Sequence, residues 1–297
     1  MFPAILTTVL WSISVVCATR STRHLGGAIA NLTRLCLAML LLAVWAYGFG
    51  KGLSGPGLRW FLFSGFVGFG LGDVALYEAL PRLGSRLTLL LAQCLAAPVG
   101  ALIEWLWLGT TLTLAQIVAG LVILAGVAVG LAPRSHLHLD RRHLFISTIF
   151  GVLAAIGQGG GAVLSRKAFL LATHAGQSID GGTAAYQRIV GGIGVAAVYF
   201  GFRWLRGTHA RGVSRLEWRA AWPWVVMNTL GGPVLGVACY QWALSTTPSG
   251  VVLPIVATLP LAVIPFSYHI EDDRPGWQSI LGGAISVAGV IALTLVR

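Results

Sequence analysis

The fold is decided by a stretch that the chain repeats: residues 120–134 read GLVILAGVAVGLAPR, and residues 283–297 read GAISVAGVIALTLVR. Both are apolar runs that end in an arginine, and several of their small residues fall in register about 163 residues apart. Earlier in each half, GDVALYEAL at residues 72–80 corresponds to GVACYQWAL at residues 236–244. A duplication of apolar segments is typical of membrane proteins that consist of two structural repeats.

Composition supports the same class of protein. Apolar residues make up 56% and charged residues only 10% of the 297 residues, whereas soluble domains carry about 25% charged residues. A membrane-spanning helix needs about 20 mostly apolar residues. The sequence predicts an all-α integral membrane protein with ten transmembrane helices, near residues 3–19, 29–49, 58–80, 84–108, 112–132, 144–164, 182–202, 221–243, 248–269 and 276–296.

Each half holds five of these spans, so the second half must enter the membrane in the opposite direction. The sequence therefore predicts two inverted-topology five-helix repeats, residues 1–132 and 144–297, joined by a polar linker at residues 133–143. The linker contains three histidines, and we expect a solvated loop there and no metal site, because no second set of ligands accompanies them.

The net charge of +11 would suggest nucleic acid as a partner of a soluble protein, but here little chain remains outside the spans. We expect membrane lipids as partners of the basic loops, and no nucleic acid. Five Lys or Arg residues fall on the side of the two termini and thirteen on the opposite side. The positive-inside rule thus predicts that both termini lie outside the cytoplasm.

Two further features recur in both halves. A lone arginine interrupts the second span of each half, Arg34 in the first and Arg188 in the second. The fourth spans contain prolines, Pro98 in the first half and Pro254 and Pro260 in the second. We expect these spans to be kinked, because proline removes a backbone donor and crowds the preceding turn.

In this order and in duplicate, these features resemble the EamA family of ten-helix permeases in the drug/metabolite transporter superfamily. The resemblance covers nearly the whole chain. It also rests on Trp11-Ser12, on the Ala-Leu pairs at 79/80 and 243/244, and on the spacing of Gln116, Gly120, Gly126, Gly283 and Gly289. It implies two bundles around a central cavity and solute transport by alternating access, often outward. The family's usual arrangement has both termini in the cytoplasm, which conflicts with the charge count.

Ionisable residues inside spans are costly and are therefore candidate functional residues. Arg34 and Arg188 could bind a carboxylate or phosphate of a substrate, or else reach the membrane interface or bind helix carbonyls. Asp73 could bind a cation or a proton, or could pair with Arg34. Glu104 could take part in coupling beside the kink at Pro98, or could be solvated near the loop.

Uncharged residues complete the candidate site. They could line a cavity, although Gln side chains also join transmembrane helices to one another. Trp11 lies near the middle of its span and could form a stacking wall. The predicted substrate-binding or coupling residues are Trp11, Arg34, Asp73, Tyr77, Gln93, Glu104, Gln158, Arg188 and Gln241.

The sequence predicts a secondary transporter that exports a small metabolite, such as an amino-acid-like or organic solute, with proton coupling and with a homo-oligomer as an open option. The ATP-binding motif GxxxxGK[ST] is absent, and we expect no cofactor and no enzymatic activity. The resemblance implies the inner (plasma) membrane of a bacterium as the location. The alternatives are a flippase for a lipid-linked substrate and, less favoured, an integral membrane enzyme that modifies lipid.

Overall fold

The molecule is an assembly of helices. The computed structural model describes residues 1–131, 141–206, 213–264, 266 and 277–295, without the side chains of residues 80–87, 131, 141–144 and 279, and contains no strand in these residues. The α-helices are α1 (Phe2–Leu25), α2 (Gly27–Gly48), α3 (Leu58–Gly65), α4 (Asp73–Leu108), α5 (Leu114–Leu131), α6 (Arg141–His174), α7 (Gly181–Leu205), α8 (Arg215–Thr229), α9 (Leu235–Thr246), α10 (Ser249–Val256), α11 (Leu259–Ala262) and α12 (Trp277–Leu295).

Six segments of the described chain are helical, long and apolar enough to cross a membrane. A helix suits the lipid interior because its backbone N–H and C=O groups bond to each other and need no partner outside the helix. These segments are Phe2–Leu25, Gly27–Gly48, Leu58–Ala79, Thr88–Leu108, Phe145–His174 and Gly181–Leu205. Three shorter apolar helices follow the same pattern, at Leu114–Gly130, Ser249–Ala262 and Ile280–Leu295. The all-helical membrane fold is confirmed, whereas the count of ten spans remains a prediction.

The third and fourth predicted spans form one unbroken run of helical residues, since α3 leads through a π-helical turn into α4. The rings of Trp60 and Trp107 nevertheless lie with their centroids 5.3 Å apart. The chain therefore reverses its direction between these two residues. Both rings mark the end of the bundle at which α1 begins and α2 ends, called here the terminal end.

Two π-helical segments occupy corresponding places in the two halves. The first, π1 (Phe66–Gly72), joins α3 to α4, and the second, π2 (Leu230–Val234), joins α8 to α9. They begin 164 residues apart, at the offset that relates residues 72–80 to residues 236–244. π-helical turns inside α-helices occur frequently at functional sites. The apolar sequence pattern gave no indication of either segment.

The prolines of the predicted kinks differ in whether they interrupt their helices. In the second half, the helix is interrupted after α10, and Pro260 is the second residue of α11. This position suits proline, whose missing N–H has no role in a first helical turn. Pro254 lies inside α10. In the first half, α4 remains helical through Pro98, so this proline does not break its helix.

Helices of one half pack against helices of the other in a reciprocal way. In α1, Thr7 Oγ1 donates to the Gly236 carbonyl at 3.3 Å and Ser14 Oγ donates to Asn228 Oδ1 at 2.7 Å. In the mirrored arrangement, Ser64 Oγ of α3 donates to the Gly161 carbonyl of α6 at 2.6 Å. The first helix of each half thus packs on the third span of the other half, as two related repeats require.

The predicted linker at residues 133–143 lies mostly outside the described residues, and α6 already begins at Arg141. The helix extends to His174, ten residues beyond the predicted end of its span at residue 164. This extension places Arg166 inside the bundle, where its exposed fraction is 9%, although the sequence pattern assigns it to a loop.

Candidate functional site

The candidate site is a cavity of about 120 Å³ between the two halves. Side chains from both halves line it, including those of π1 and π2. Seven of the nine predicted residues are among the lining residues: Trp11, Arg34, Asp73, Tyr77, Gln93, Gln158 and Arg188. These seven are about a third of the twenty lining residues, and they include the three charged ones, Arg34, Asp73 and Arg188.

Arg34 and Asp73 form an ion pair in the cavity wall. The exposed fractions of their side chains are 10% and 20%. Arg34 Nε also donates to Asn31 Oδ1 at 2.9 Å, and its guanidinium carbon lies 5.2 Å from the centroid of the Tyr77 ring. The pairing alternative for Asp73 is thus the arrangement found, and Arg34 is buried inside the bundle.

Arg188 lies in the same cavity but has a different environment. Only 3% of the residue is exposed, and its Nε has no hydrogen-bond partner among the described residues. Its guanidinium carbon lies 5.2 Å from the centroid of the Phe69 ring in π1, which provides a cation–π contact. Asp73 interacts with Arg188 only through its electrostatic field, since its carboxylate pairs with Arg34.

Amide side chains complete the polar part of the wall. Gln158 Nε2 in α6 is buried without a hydrogen-bond partner among the described residues. Asn228 accepts a hydrogen bond from Ser14, while its Nδ2 faces Tyr77 but reaches hydrogen-bond geometry with no described atom. Ser14 and Asn228 are lining residues that the predicted site lacks, although both are polar residues in apolar spans.

Trp11 forms part of the wall as an aromatic pair. Its ring lies 5.2 Å from that of Tyr240, which is 1% exposed. Gln93 lies on α4 and is 8% exposed. Gln241 is fully buried and is not among the residues that line this cavity, and its role in the site remains a prediction. Gln241 corresponds to Tyr77 in the repeated motif. Tyr77 faces the cavity, whereas Gln241 lies on a face of its helix that packs against other parts of the protein.

Glu104 also lies away from the cavity, near the terminal end. Its carboxylate accepts a hydrogen bond from the Ser249 backbone N–H at 2.6 Å, at the first residue of α10, where a negative charge is favoured. Arg166 Nε lies 3.4 Å from Glu104 Oε1, and Arg166 Nη1 donates to the Leu244 carbonyl at 2.7 Å. These three residues, the Glu104 cluster, connect α4, α6 and α10.

Loop residues add contacts at the same end of the bundle. Lys51 Nζ donates to Gln177 Oε1 at 2.8 Å, and the fully buried Gln187 donates through Nε2 to the Gly52 carbonyl at 2.8 Å. The cavity wall instead extends to Thr19, near the opposite end of α1. These contacts join the helices at the terminal end. Near the opposite end, whose loops lie largely outside the described residues, Arg203 Nη1 lies 3.3 Å from Glu78 Oε1.

The described residues offer no group of three His, Cys, Asp or Glu side chains that could hold a metal ion. The linker histidines lie outside the residues whose side chains are described. The chemistry available in the cavity is therefore that of guanidinium, carboxylate, amide and aromatic groups, which can bind a small solute through charge, hydrogen bonds and stacking.

The comparisons with known proteins agree with this architecture. A solved structure described only as "Crystal structure of protein" is similar over 99% of this chain and 96% of its own, with a TM-score of 0.74 and 18% identity. At that identity the likeness shows the fold alone. A search of curated proteins finds no match.

The EamA-like transporter family matches residues 1–131 and 145–295. The match covers both predicted repeats and nearly the whole chain. It confirms the resemblance that the repeated motifs indicate and identifies a multi-pass integral membrane protein. The chain therefore belongs to the EamA-like transporter family, whose members are transporters and not enzymes.

Proposed function

We propose that the protein is a secondary transporter that exports a small organic solute by alternating access, with ten spans arranged as two inverted repeats. The cavity between the halves carries this proposal, because buried charged and amide side chains from both halves line one space. Transporter sites form at such repeat interfaces, where helices are interrupted. Here π1 and π2 both contribute lining residues.

The Arg34–Asp73 ion pair is the proposed coupling element. Protonation of Asp73 would remove its charge, weaken the pair and leave Arg34 available for other partners. Removing one member of a buried pair is costly, so the two protonation states differ in free energy by enough to bias a conformational equilibrium. A proton gradient would then drive the solute.

The Glu104 cluster is the proposed closure of the terminal end. Alternating access requires these contacts to separate when the cavity opens there. If the end rich in Lys and Arg faces the cytoplasm, as the charge count predicts, opening of the cavity at that end would load solute from the cytoplasm, which suits export. The orientation of the termini and a homo-oligomeric state remain predictions.

The test is counterflow in proteoliposomes that are preloaded with a mixed metabolite extract and analysed by mass spectrometry. We expect wild-type vesicles to lose one class of compound faster than protein-free vesicles, and Arg34→Ala to abolish the loss. We expect Asp73→Asn to remove any acceleration by an imposed pH gradient. If folded wild-type protein moves no solute, the transporter proposal fails and lipid translocation becomes the next assay.

A further inference from the structure

We propose that Arg188 binds an anionic group of the transported solute, a carboxylate or a phosphate, in a site that α6, α7 and α8 form together. This inference rests on the proposed transport function and specifies its substrate class. The two arginines of the cavity are related by the repeat, but within the described part of the chain only Arg34 has a carboxylate partner. Arg188 is the one that a substrate can neutralise.

The burial of Arg188 is the first argument. A guanidinium group that is 3% exposed and inside a membrane span is costly unless it is paired. Phe69 covers one face of the group, but an aromatic ring does not accept the in-plane N–H donors as an oxygen does. Arg188 Nε has no hydrogen-bond acceptor among the described residues. An anion in the cavity would provide acceptors and opposite charge.

The neighbouring amides point to the same ligand chemistry. Gln158 and Asn228 line the cavity. Their side-chain N–H₂ groups are buried without a partner in hydrogen-bond geometry among the described atoms, and the amide of Asn228 faces Tyr77. With Arg188 they form a set of donors on α6, α7 and α8. Unsatisfied buried donors need an explanation, and a ligand rich in acceptor oxygens would offer partners to these side chains when they turn toward the cavity.

Two glycines leave room around the guanidinium group. A Cβ atom at Gly68 would lie 2.7 Å from Arg188 Nη2, and one at Gly161 would lie 3.2 Å from the same atom. Any side chain at Gly68 would therefore displace the group. Gly68 belongs to π1, so the π-helical turn places a residue without a side chain against the arginine.

The charge balance of the cavity gives the expected charge of the ligand. Among the described lining residues, the ionisable charges are those of Arg34, Asp73 and Arg188. The first two neutralise each other, and Arg188 leaves one positive charge. A solute with one net negative charge would make the loaded cavity neutral, which lowers the cost of enclosing it in the low-dielectric interior.

The experiment compares wild type with Arg188→Gln in counterflow from vesicles of phosphatidylcholine alone, so that no anionic lipid is present. The vesicles are preloaded with a metabolite extract. The control is Arg219→Gln, which removes an exposed arginine of α8 outside the cavity. We expect the compounds released by wild type and by the control to carry a carboxylate or phosphate, and Arg188→Gln to reduce release roughly 10- to 100-fold.

A second comparison separates binding from structural support. The acid that wild type releases most strongly is compared with its primary amide. Wild type should prefer the acid by roughly 10- to 100-fold, and folded Arg188→Gln should lose that preference. Release of neutral or cationic compounds only, or an unchanged preference in Arg188→Gln, would overturn the inference and leave the transport function intact.

If Arg188→Gln does not fold, Gly68→Ala provides the same test, because its methyl group must displace the guanidinium group. The matched control is Gly160→Ala, whose Cβ atom would meet its nearest neighbour at 3.7 Å, an ordinary contact. We expect Gly68→Ala to reduce acid release about 10-fold and Gly160→Ala to retain it. Equal release by both variants contradicts the proposal.

If wild type releases nothing, the transporter proposal itself fails, and the anion site is then judged by binding. The extract is separated on an anion-exchange resin into fractions with and without acids, and each fraction is added to detergent-purified protein. A higher melting temperature with the acid fraction alone supports the site. Equal stabilisation by both fractions, or none, overturns it. An effect that appears only when anionic phospholipid is added assigns the site to a lipid headgroup and also overturns the soluble substrate.

Discussion

The helices α2 and α7 are equivalent in the two halves, yet their arginines have opposite surroundings. Arg34 on α2 has a carboxylate, an amide oxygen and a tyrosine ring around it. Arg188 on α7 has a phenylalanine ring and no acceptor for its Nε among the described residues. The helices and their arginines are repeated, but the carboxylate partner is not.

One position accounts for the missing carboxylate partner. Asp73 occupies the second place in the motif at residues 72–80, and the corresponding place in the motif at residues 236–244 is Val237. Both residues line the cavity. A duplicated scaffold thus provides two equivalent cation positions, and one carboxylate divides them into a paired arginine for coupling and an arginine that is available to a ligand.

The largest effect is expected from making the two halves alike. Val237→Asp should place a carboxylate beside Arg188 as Asp73 lies beside Arg34, and this carboxylate should compete with the anionic substrate. We expect counterflow of the acid to fall at least about 10-fold. The control Val237→Asn has nearly the same shape without the charge and should retain most of the activity. Equal loss in both folded variants would show that packing, not charge, limits transport.

The next effect concerns the paired arginine and is expected in stability. Asp73→Asn and Arg34→Gln should each destabilise the protein, while the double variant should recover part of the loss. We expect a coupling energy of about 1.5–3 kcal/mol, because the hydrogen bond is charge-assisted and partly buried. Unfolding of the four proteins in detergent measures it. Additive losses in the double variant would mean that the ion pair contributes no net stability.

The smallest effect concerns the N-termini of the same two helices. Asp180 caps α7 by accepting from the Thr183 backbone N–H at 2.9 Å, whereas Gly26 precedes α2 and offers no side-chain cap. Partial burial alone would raise the pKa of Asp180, but hydrogen bonds from Thr183, Trp45 and Gly182 outweigh it and lower that pKa below its ordinary value.

A lowered pKa means that the folded state favours the charged carboxylate. The stabilising contribution is therefore complete above the ordinary aspartate pKa of about 3.9 and disappears as the pH falls through the lowered value. We expect Asp180→Ala to cost about 1 kcal/mol near neutral pH and progressively less in acid. Melting temperatures of both proteins from neutral to acidic pH provide the measurement. A difference that stays constant with pH would contradict the charged cap.

The sequence indicates the family, the helical membrane fold and the charged residues of the cavity because the relevant signals are local or repeated. A charge in an apolar run is conspicuous, and Arg34, Asp73 and Arg188 all line the cavity. The sequence alone does not decide between the alternative roles of these residues, because the roles depend on contacts between distant parts of the chain. Whether Asp73 pairs with Arg34 depends on the packing of α4 against α2, which spacing along the chain does not reveal.

Glu104 and Gln241 show a second limit. Both are polar residues in apolar spans, as the cavity residues are, but Glu104 binds the start of α10 and Gln241 faces the protein interior. The face of a helix that meets the cavity depends on its rotation in the bundle. Arg166 was missed for a different reason, because α6 continues past the apolar run that predicted its end.

The hydrogen bonds of α1 have a consequence for biosynthesis. Thr7 and Thr8 contact carbonyls 229 and 247 residues later in the chain, so at about 5–20 residues per second these acceptors emerge from the ribosome roughly 10–50 s after the helix. In that interval both hydroxyls can bond to carbonyls four residues earlier, at 2.8 Å and 3.0 Å. The hydroxyl groups of Thr7 and Thr8 therefore have hydrogen-bond acceptors within α1 while the helix is alone in the lipid. The helix can remain there until the second half of the chain is synthesised.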